Sequence, residues 1–143
     1  MLRQVDEVEP RDPAPGLAQL DILIKTAGEA GVPTKTSIVG TVRPLPAAID
    51  LAAYRIIQES STNVVRHAGR ASAEVILAYE PSRIVIDVSD DGRGPTPDNG
   101  ETGHGMAGIR ERVGAAGGGI EAGPRDGRGF RVHAWLPTTG VTP

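Results

Sequence analysis

The sequence predicts an α/β (α+β) fold: a two-layer sandwich of a mixed, mostly antiparallel sheet with helices on one face. Segments with helical and with alternating apolar patterns follow in the order helix, strand, helix, strand, strand, loop, helix, strand, strand. Strands that directly follow strands favour antiparallel pairing, and the helices between them then cover one face of the sheet. The 143 residues fit one domain, since domains usually contain about 100–200 residues.

The apolar periodicity predicts three helices. Leu17, Leu20 and Ala27 lie on one stripe of the first helix, which Gly31 and Pro33 end. The second is the longest, because its segment contains neither glycine nor proline. The predicted helices cover residues 17–30, 49–68 and 106–116.

Alternating and β-branched segments predict five strands. Pro44 ends the first, and Glu80-Pro81-Ser82 forms the turn of a hairpin between the second and third. Glycine, proline, aspartate and asparagine predict a loop over residues 90–105. The predicted strands cover residues 34–42, 73–79, 83–89, 120–122 and 130–136.

Composition excludes several classes of function. The chain has no cysteine, which excludes disulfide scaffolds, thiolate zinc sites and cysteine nucleophiles. A net charge of -3 and 3% aromatic residues lack the basic footprint and stacking platforms of nucleic-acid-binding proteins. No apolar run approaches the roughly 20 residues that span a bilayer. No G-x-x-x-x-G-K-[ST] or G-x-S-x-G motif occurs, so neither P-loop nor hydrolase-elbow chemistry is expected.

The longest predicted helix carries the first candidate motif. Glu59, Asn63 and His67 follow at intervals of four, so they share one stripe, with Arg55 and Arg66 beside it. Carboxylate and amide oxygens suit a hard cation such as Mg²⁺, which also takes phosphate oxygens. The alternative for this stripe alone is an ordinary solvated polar face.

The second motif, Asp90-Asp91-Gly92-Arg93-Gly94, directly follows a predicted strand. A carboxylate at a strand end can accept a hydrogen bond from an exocyclic amine. Glycines two and four residues later let the backbone approach a flat base closely. Taken alone, the same residues also suit a simple turn.

The third motif is Gly103-His104-Gly105-Met106-Ala107-Gly108, directly before Ile109-Arg110-Glu111-Arg112. Its glycines match G-x-G-x-x-G, but no strand precedes it and no βαβ unit surrounds it, which excludes a Rossmann fold. Glycines that open a helix still direct unpaired N–H groups at an anion. Phosphate binding is therefore one interpretation, and a plain glycine-rich loop is the other.

In order and spacing, the three motifs together resemble the ATP-binding catalytic domain of sensor histidine kinases, in the GHKL ATPase superfamily. Residues 54–68 are similar to its N box, residues 90–94 to its G1 box and residues 103–112 to its G2 box. The Tyr-Arg-x-x-Gln-Glu opening and the Arg-Glu-Arg ending resemble the NarL/DesK-type branch. The resemblance covers residues 16–137 and implies a Bergerat-type ATP-binding fold.

The resemblance also implies roles for individual residues. Asn63 holds Mg²⁺ and Glu59 is the catalytic acid or base. Asp90 binds the adenine amine, and a short lid of about residues 93–105 covers the nucleotide. Phe130 stands where many relatives have threonine, so no hydroxyl contact is expected there. The implied cofactor-binding residues are Asn63, Arg66, His67, Asp90, Gly92, Gly94, Gly103, Gly105, Met106 and Gly108.

By the same resemblance, the cofactors are ATP and Mg²⁺, and the phosphoacceptor is a histidine of a separate dimerisation domain of the same kinase. Residues 1–16 are then a linker from that domain, 17–137 the catalytic domain and 138–143 a tail. A response regulator is reached through the dimerisation domain, and no nucleic acid is expected. The expected fragment is monomeric and cytoplasmic, from a homodimeric parent that a membrane segment could anchor.

Two alternatives remain open from the sequence. The chain could be another GHKL-type ATPase, such as a mismatch-repair or chaperone ATPase, in which the Glu59 position activates water. It could instead be a degenerate nucleotide-binding or interaction module, although the presence of Glu59, Asn63 and Asp90 argues against degeneration.

Overall fold

A five-stranded mixed sheet forms one layer of the molecule. The structure is a computed structural model that describes residues 14–92 and 101–139, the backbone alone from 101 to 105. The strands lie in the order β1-β2-β3-β5-β4; β1 pairs with β2 in parallel and the other three pairs are antiparallel. The predicted mixed, mostly antiparallel sheet is confirmed. Its strands are β1 (Thr34–Val39), β2 (Ala73–Tyr79), β3 (Arg83–Asp90), β4 (Gly119–Pro124) and β5 (Phe130–Pro137).

Helices form the second layer, on one face of the sheet as predicted. A 3₁₀ turn at Leu17–Gln19 precedes the first of them, and the backbone N–H of Leu17 donates to Asp50 Oδ1. Among the described residues, no helix has the length and apolar character needed to cross a membrane. The helices are α1 (Leu20–Glu29), α2 (Ala47–His67) and α3 (Glu101–Ala115).

The main core lies between this sheet and its helices. Strand side chains alternate between the two faces, so every second residue of β3 and β5 points inward and is buried. Burial of these aliphatic side chains is the principal force that holds the layers together. The largest of the fully buried side chains are Ile49, Ile56, Ile57, Val75, Leu77, Ile84, Ile86, Ile109, Val113 and Leu136.

Several element boundaries differ from prediction, among them the end of β1 and the start of α3. β1 ends at Val39, three residues early, because Gly40 turns the chain with φ +88° and packs against the Tyr79 carbonyl oxygen. α3 begins at Glu101, so the predicted loop up to residue 105 and the predicted helix start at Met106 are wrong. The prediction relied on the low helix propensity of glycine, about 1 kcal/mol per residue relative to alanine. Helix growth is cooperative, so turns held by packing extend upstream through such residues.

A charged cluster occupies the outer face of the sheet. Asp87 on β3 accepts hydrogen bonds from Arg131, with Nε at 2.9 Å from Oδ1, and from Nδ1 of His133 at 2.8 Å. Burial acts to raise the pKa of Asp87. The hydrogen bonds and charges of Arg131 and His133 outweigh burial and hold that pKa below its usual value.

Trp135 lies on the same outer face, next to the cluster. Its indole packs over Gly119, where an added Cβ would lie 2.6 Å from the ring nitrogen. The guanidinium of Arg83 lies 5.7 Å from the centre of the ring, within the range of a cation–π contact. This residue is the chain's single tryptophan.

The charged cluster makes stability depend on pH. A carboxylate whose pKa is lowered by folding stabilises the protein above its unfolded pKa of about 3.9, and this stabilisation is lost as pH falls through the folded pKa. We expect Asp87→Asn to cost about 1 kcal/mol of unfolding free energy at neutral pH, since Arg131 and His133 are partly exposed.

Urea unfolding at neutral and at acidic pH tests this expectation. The difference between wild type and Asp87→Asn should shrink in acid, whereas Asp126→Asn in the exposed β4–β5 turn should change little at either pH. A constant difference at both pH values would contradict the assignment.

Candidate functional site

α2 carries the predicted polar stripe along the edge of the helix layer. Burial of Ile56, Ile57 and Val64 fixes the rotation of this helix, so residues at the intervening positions remain accessible. Glu59, Asn63 and His67 are each partly exposed, one helical turn apart, and Arg66 is exposed. The stripe predicted from the spacing is therefore present as one accessible surface.

Glu59 forms an ion pair that the sequence interpretation missed. Its Oε2 lies 3.1 Å from Nη2 and 3.3 Å from Nε of Arg112 on α3. The two residues are 53 positions apart, so no local sequence pattern predicts the contact. Gly108, one turn before Arg112, faces the other carboxylate oxygen of Glu59.

Asp90, the last residue of β3, is a buried carboxylate. The residue is 3% exposed and its Oδ1 accepts the Gly92 N–H at 2.8 Å, while the Phe130 N–H also donates to the side chain. Burial raises the pKa of Asp90, although these backbone hydrogen bonds oppose the shift. Within the described residues, no side-chain cation forms an ion pair with this carboxylate. A carboxylate with perturbed pKa and spare acceptor capacity is a candidate binding group.

Two arginines of the β4–β5 turn hold the backbone beside Asp90. Arg125 donates to the Asp90 carbonyl at 2.7 Å, and Arg128 donates to the Asp91 carbonyl at 2.8 Å. The sequence interpretation gave neither arginine a role in the site; two arginines three positions apart in a glycine-rich turn are the signal in the sequence. The Asp91 side chain accepts the Ser72 N–H at 2.7 Å, a contact that an asparagine oxygen could also make.

Glycines permit the close approach of three chain segments at this point. A Cβ on Gly92 would lie 2.4 Å from Ala68 at the end of α2. A Cβ on Gly129 would lie 2.0 Å from the Asp90 carbonyl oxygen, and Gly129 has φ +103°. The predicted role of Gly92 against a base therefore has a second explanation in packing. Gly94 lies outside the described residues.

The glycines of the third motif lie within α3. Gly103 and Gly105 belong to its first turns, so the predicted helix start beside Gly105 is wrong. Met106 is buried in the main core, at 7% exposure. Whether these residues and Gly108 bind phosphates remains a prediction.

The molecule is thus an α+β sandwich whose longest helix presents an accessible polar stripe. The family of histidine kinase-, DNA gyrase B- and HSP90-like ATPases matches residues 49–140 of the chain. The chain belongs to this family. The predicted resemblance is thereby confirmed.

Sensor histidine kinases are among the sequence relatives. NarS of Mycobacterium tuberculosis is 37% identical over 108 residues, which are 72% of this chain and 25% of NarS. The histidine-protein kinase/phosphatase UhpB of Salmonella typhimurium is 33% identical over 84 residues, 59% of this chain and 16% of UhpB. The chain thus spans a quarter or less of the length of these relatives.

Solved histidine kinases share the fold. A blue-light activated histidine kinase of Erythrobacter litoralis superposes with a TM-score of 0.69 at 19% identity, covering 87% of this chain and 46% of that one. The catalytic domain of histidine kinase ThkA gives 0.63 at 14% identity, with 84% and 92% covered. The predicted two-layer sandwich is confirmed.

The contact at Gly129 predicts a large effect of substitution. Gly129→Ala should lower the unfolding free energy by about 3 kcal/mol, since left-handed strain of about 1–2 kcal/mol adds to a clash with the Asp90 backbone. Gly127→Ala is the matched control, because Gly127 has φ +87° but nothing within 4 Å of an added Cβ. Equal losses in thermal or urea unfolding would show that strain alone acts.

Proposed function

We propose that this chain is the ATP-binding catalytic domain of a two-component sensor histidine kinase. It transfers the γ-phosphoryl group of ATP to a histidine on a separate dimerisation domain of the same kinase. The observation that carries the proposal is the buried Asp90 carboxylate at the end of β3, on the same side of the molecule as the C-terminal end of α2, where Gly92 packs on Ala68.

Asp90 is the residue proposed to recognise adenine. Only acceptor atoms are present on an ionised carboxylate, and two oxygens offer about four acceptor positions. The backbone donors of Gly92 and Phe130 use part of this capacity. The remainder suits the exocyclic amine of a base, and burial from water strengthens such a hydrogen bond.

Asn63 is the residue proposed to hold Mg²⁺. Its amide oxygen is a hard metal ligand, and the residue is partly exposed on α2, one turn after Glu59. Among the described residues, no group of three or more histidines, cysteines and acids could enclose a metal. A single amide ligand fits Mg²⁺, which keeps several waters and binds nucleotide phosphates. Mg²⁺ would neutralise charge on the phosphates, which is much of what phosphoryl transfer requires.

The other predicted site residues on α2 and α3 have proposed roles at the acceptor imidazole and at the phosphates. Glu59 acts on the proton of the acceptor imidazole, as acid or base. Arg66 and His67, in the last turn, face the phosphates, as do Gly103, Gly105 and Gly108 of α3. As the bond from the γ-phosphorus to the β–γ bridging oxygen breaks and ADP leaves, the bond from the phosphorus to the imidazole nitrogen forms, and the imidazole proton passes to Glu59.

The acceptor histidine is proposed to belong to another domain. His133 lies on the outer face of the sheet, bound to Asp87 and away from α2. Coupling to a response regulator runs through the dimerisation domain, and the parent kinase is a cytoplasmically facing homodimer. The NarS and UhpB similarities support a parent with further domains, since both are histidine kinases much longer than the matched region.

Transfer in trans tests the proposed function. The chain is incubated with γ-labelled ATP and Mg²⁺, with and without the dimerisation domain of the same kinase. We expect acid-labile label on the added domain alone, at a slow rate because docking is no longer intramolecular. Release of inorganic phosphate without transfer would favour another ATPase of the family. A chain that neither transfers label nor releases phosphate would favour a degenerate module.

Replacement of Asp90 tests the adenine contact. Asp90→Asn should weaken ADP binding roughly 10- to 100-fold, since a hydrogen bond to a buried charged group contributes about 1.5–3 kcal/mol. Calorimetric titration measures the affinity. Asp91→Asn is the matched control, because the asparagine oxygen can still accept from Ser72. Unchanged affinity in Asp90→Asn would refute the adenine assignment.

A further inference from the structure

Two residues of α3 lie next to the Glu59 carboxylate, one beside each of its oxygens. Nε and Nη2 of Arg112 both point to Oε2, at 3.3 and 3.1 Å. Gly108 lies against the other oxygen: a Cβ at this position would be 3.3 Å from Oε1. Arg112 therefore binds Oε2, whereas Gly108, which has no side chain, leaves space beside Oε1.

Stability does not account for this arrangement. The Arg112 side chain is 40% exposed and that of Glu59 27%, and ion pairs at such exposure add little to folding. Glycine in the middle of a helix is also less favourable than alanine. Both features instead constrain the position of one carboxylate.

The part of α3 that touches Glu59 is anchored in the core. Ile109 and Val113, each next in sequence to one of the two contact residues, are 0% and 1% exposed. Gly108 and Arg112 are four residues apart and hence on one face of the helix. Packing therefore fixes the location of this face relative to α2.

We propose that Arg112 and Gly108 are positioning residues for Glu59. Arg112 holds Oε2, and the missing side chain of Gly108 leaves Oε1 unobstructed toward the acceptor imidazole. The inference rests on the proposed kinase function and assigns Gly108 a role in the transfer step in addition to any nucleotide contact. Loss of either residue should therefore slow phosphoryl transfer more than it weakens nucleotide binding.

Transfer kinetics in trans, together with calorimetric MgATP binding, test the Arg112 contact. Arg112→Gln should lower kcat by about tenfold or more, since a small misplacement of a reacting group can cost up to ~100-fold. The affinity for MgATP should stay within about twofold, as for an interaction made only in the transition state. Arg112→Lys should recover part of the rate. Arg110→Gln, at an exposed position of the same helix, is the matched control.

Gly108→Ala tests the contact at the other oxygen of the same carboxylate. Alanine should raise the melting temperature through helix propensity, yet lower kcat because its Cβ displaces Oε1. Gly114→Ala controls for propensity, because nothing lies within 4 Å of an added Cβ there. A slower but more stable variant cannot owe its loss of rate to unfolding.

The outcomes separate this inference from the function on which it rests. A wild-type chain that transfers no phosphate overturns both. An active wild type with an equally active Arg112→Gln overturns the inference alone, as does an equal loss in Arg110→Gln. A loss of MgATP affinity that accounts for the whole loss of rate assigns these residues to nucleotide binding, and also overturns it.

Discussion

Packing of one apolar face of α2 against the inner face of the sheet determines where the polar groups that α2 contributes to the candidate site lie. The helix buries Ile49, Ile56 and Ile57 on strands β3 and β5 and on α3. Because an α-helix repeats every 3.6 residues, that burial leaves Glu59 and Asn63 at the accessible edge. The same hydrophobic contact that stabilises the domain therefore positions the Glu59 and Asn63 side chains.

The end of β3 is held mainly through backbone atoms. Arg125 and Arg128 bind carbonyl oxygens, Gly92 and Gly129 allow backbone to pack on backbone, and the Ser72 N–H donates to the Asp91 side chain. Such contacts fix the path of the chain without neutralising the Asp90 carboxylate. A charged acceptor is thereby kept in a buried position, at a cost that the surrounding packing offsets.

The sequence predicted the elements whose patterns are local and strong. α2 and β2 were placed within two residues, because an uninterrupted periodic segment allows few alternatives. Asp90 was named as a candidate because an acidic residue directly after an apolar segment stands out in the sequence, and the structure places it as a buried carboxylate. The start of α3 was misplaced, because glycine propensity is a local quantity whereas helix extension depends on packing.

Long-range contacts could not be predicted in the same way. The partner of Glu59 lies 53 residues away, and the Arg125 that binds the Asp90 carbonyl is 35 residues away. Neither separation in sequence follows the periodicity of a helix or a strand. Arginines on a helix face or in a turn are also usually solvated. Only the register of β3 with β5 and the crossing of α2 with α3 bring these groups together.

The position of Trp135 has a spectroscopic consequence. The indole, the chain's only one, lies on the outer face of the sheet between Gly119 and Arg83, with the core layer between it and α2. Its fluorescence emission therefore reports the pairing of β4 with β5 and the solvent at that face. Nucleotide titrations need a different optical probe, whereas unfolding of the sheet can be followed without any added label.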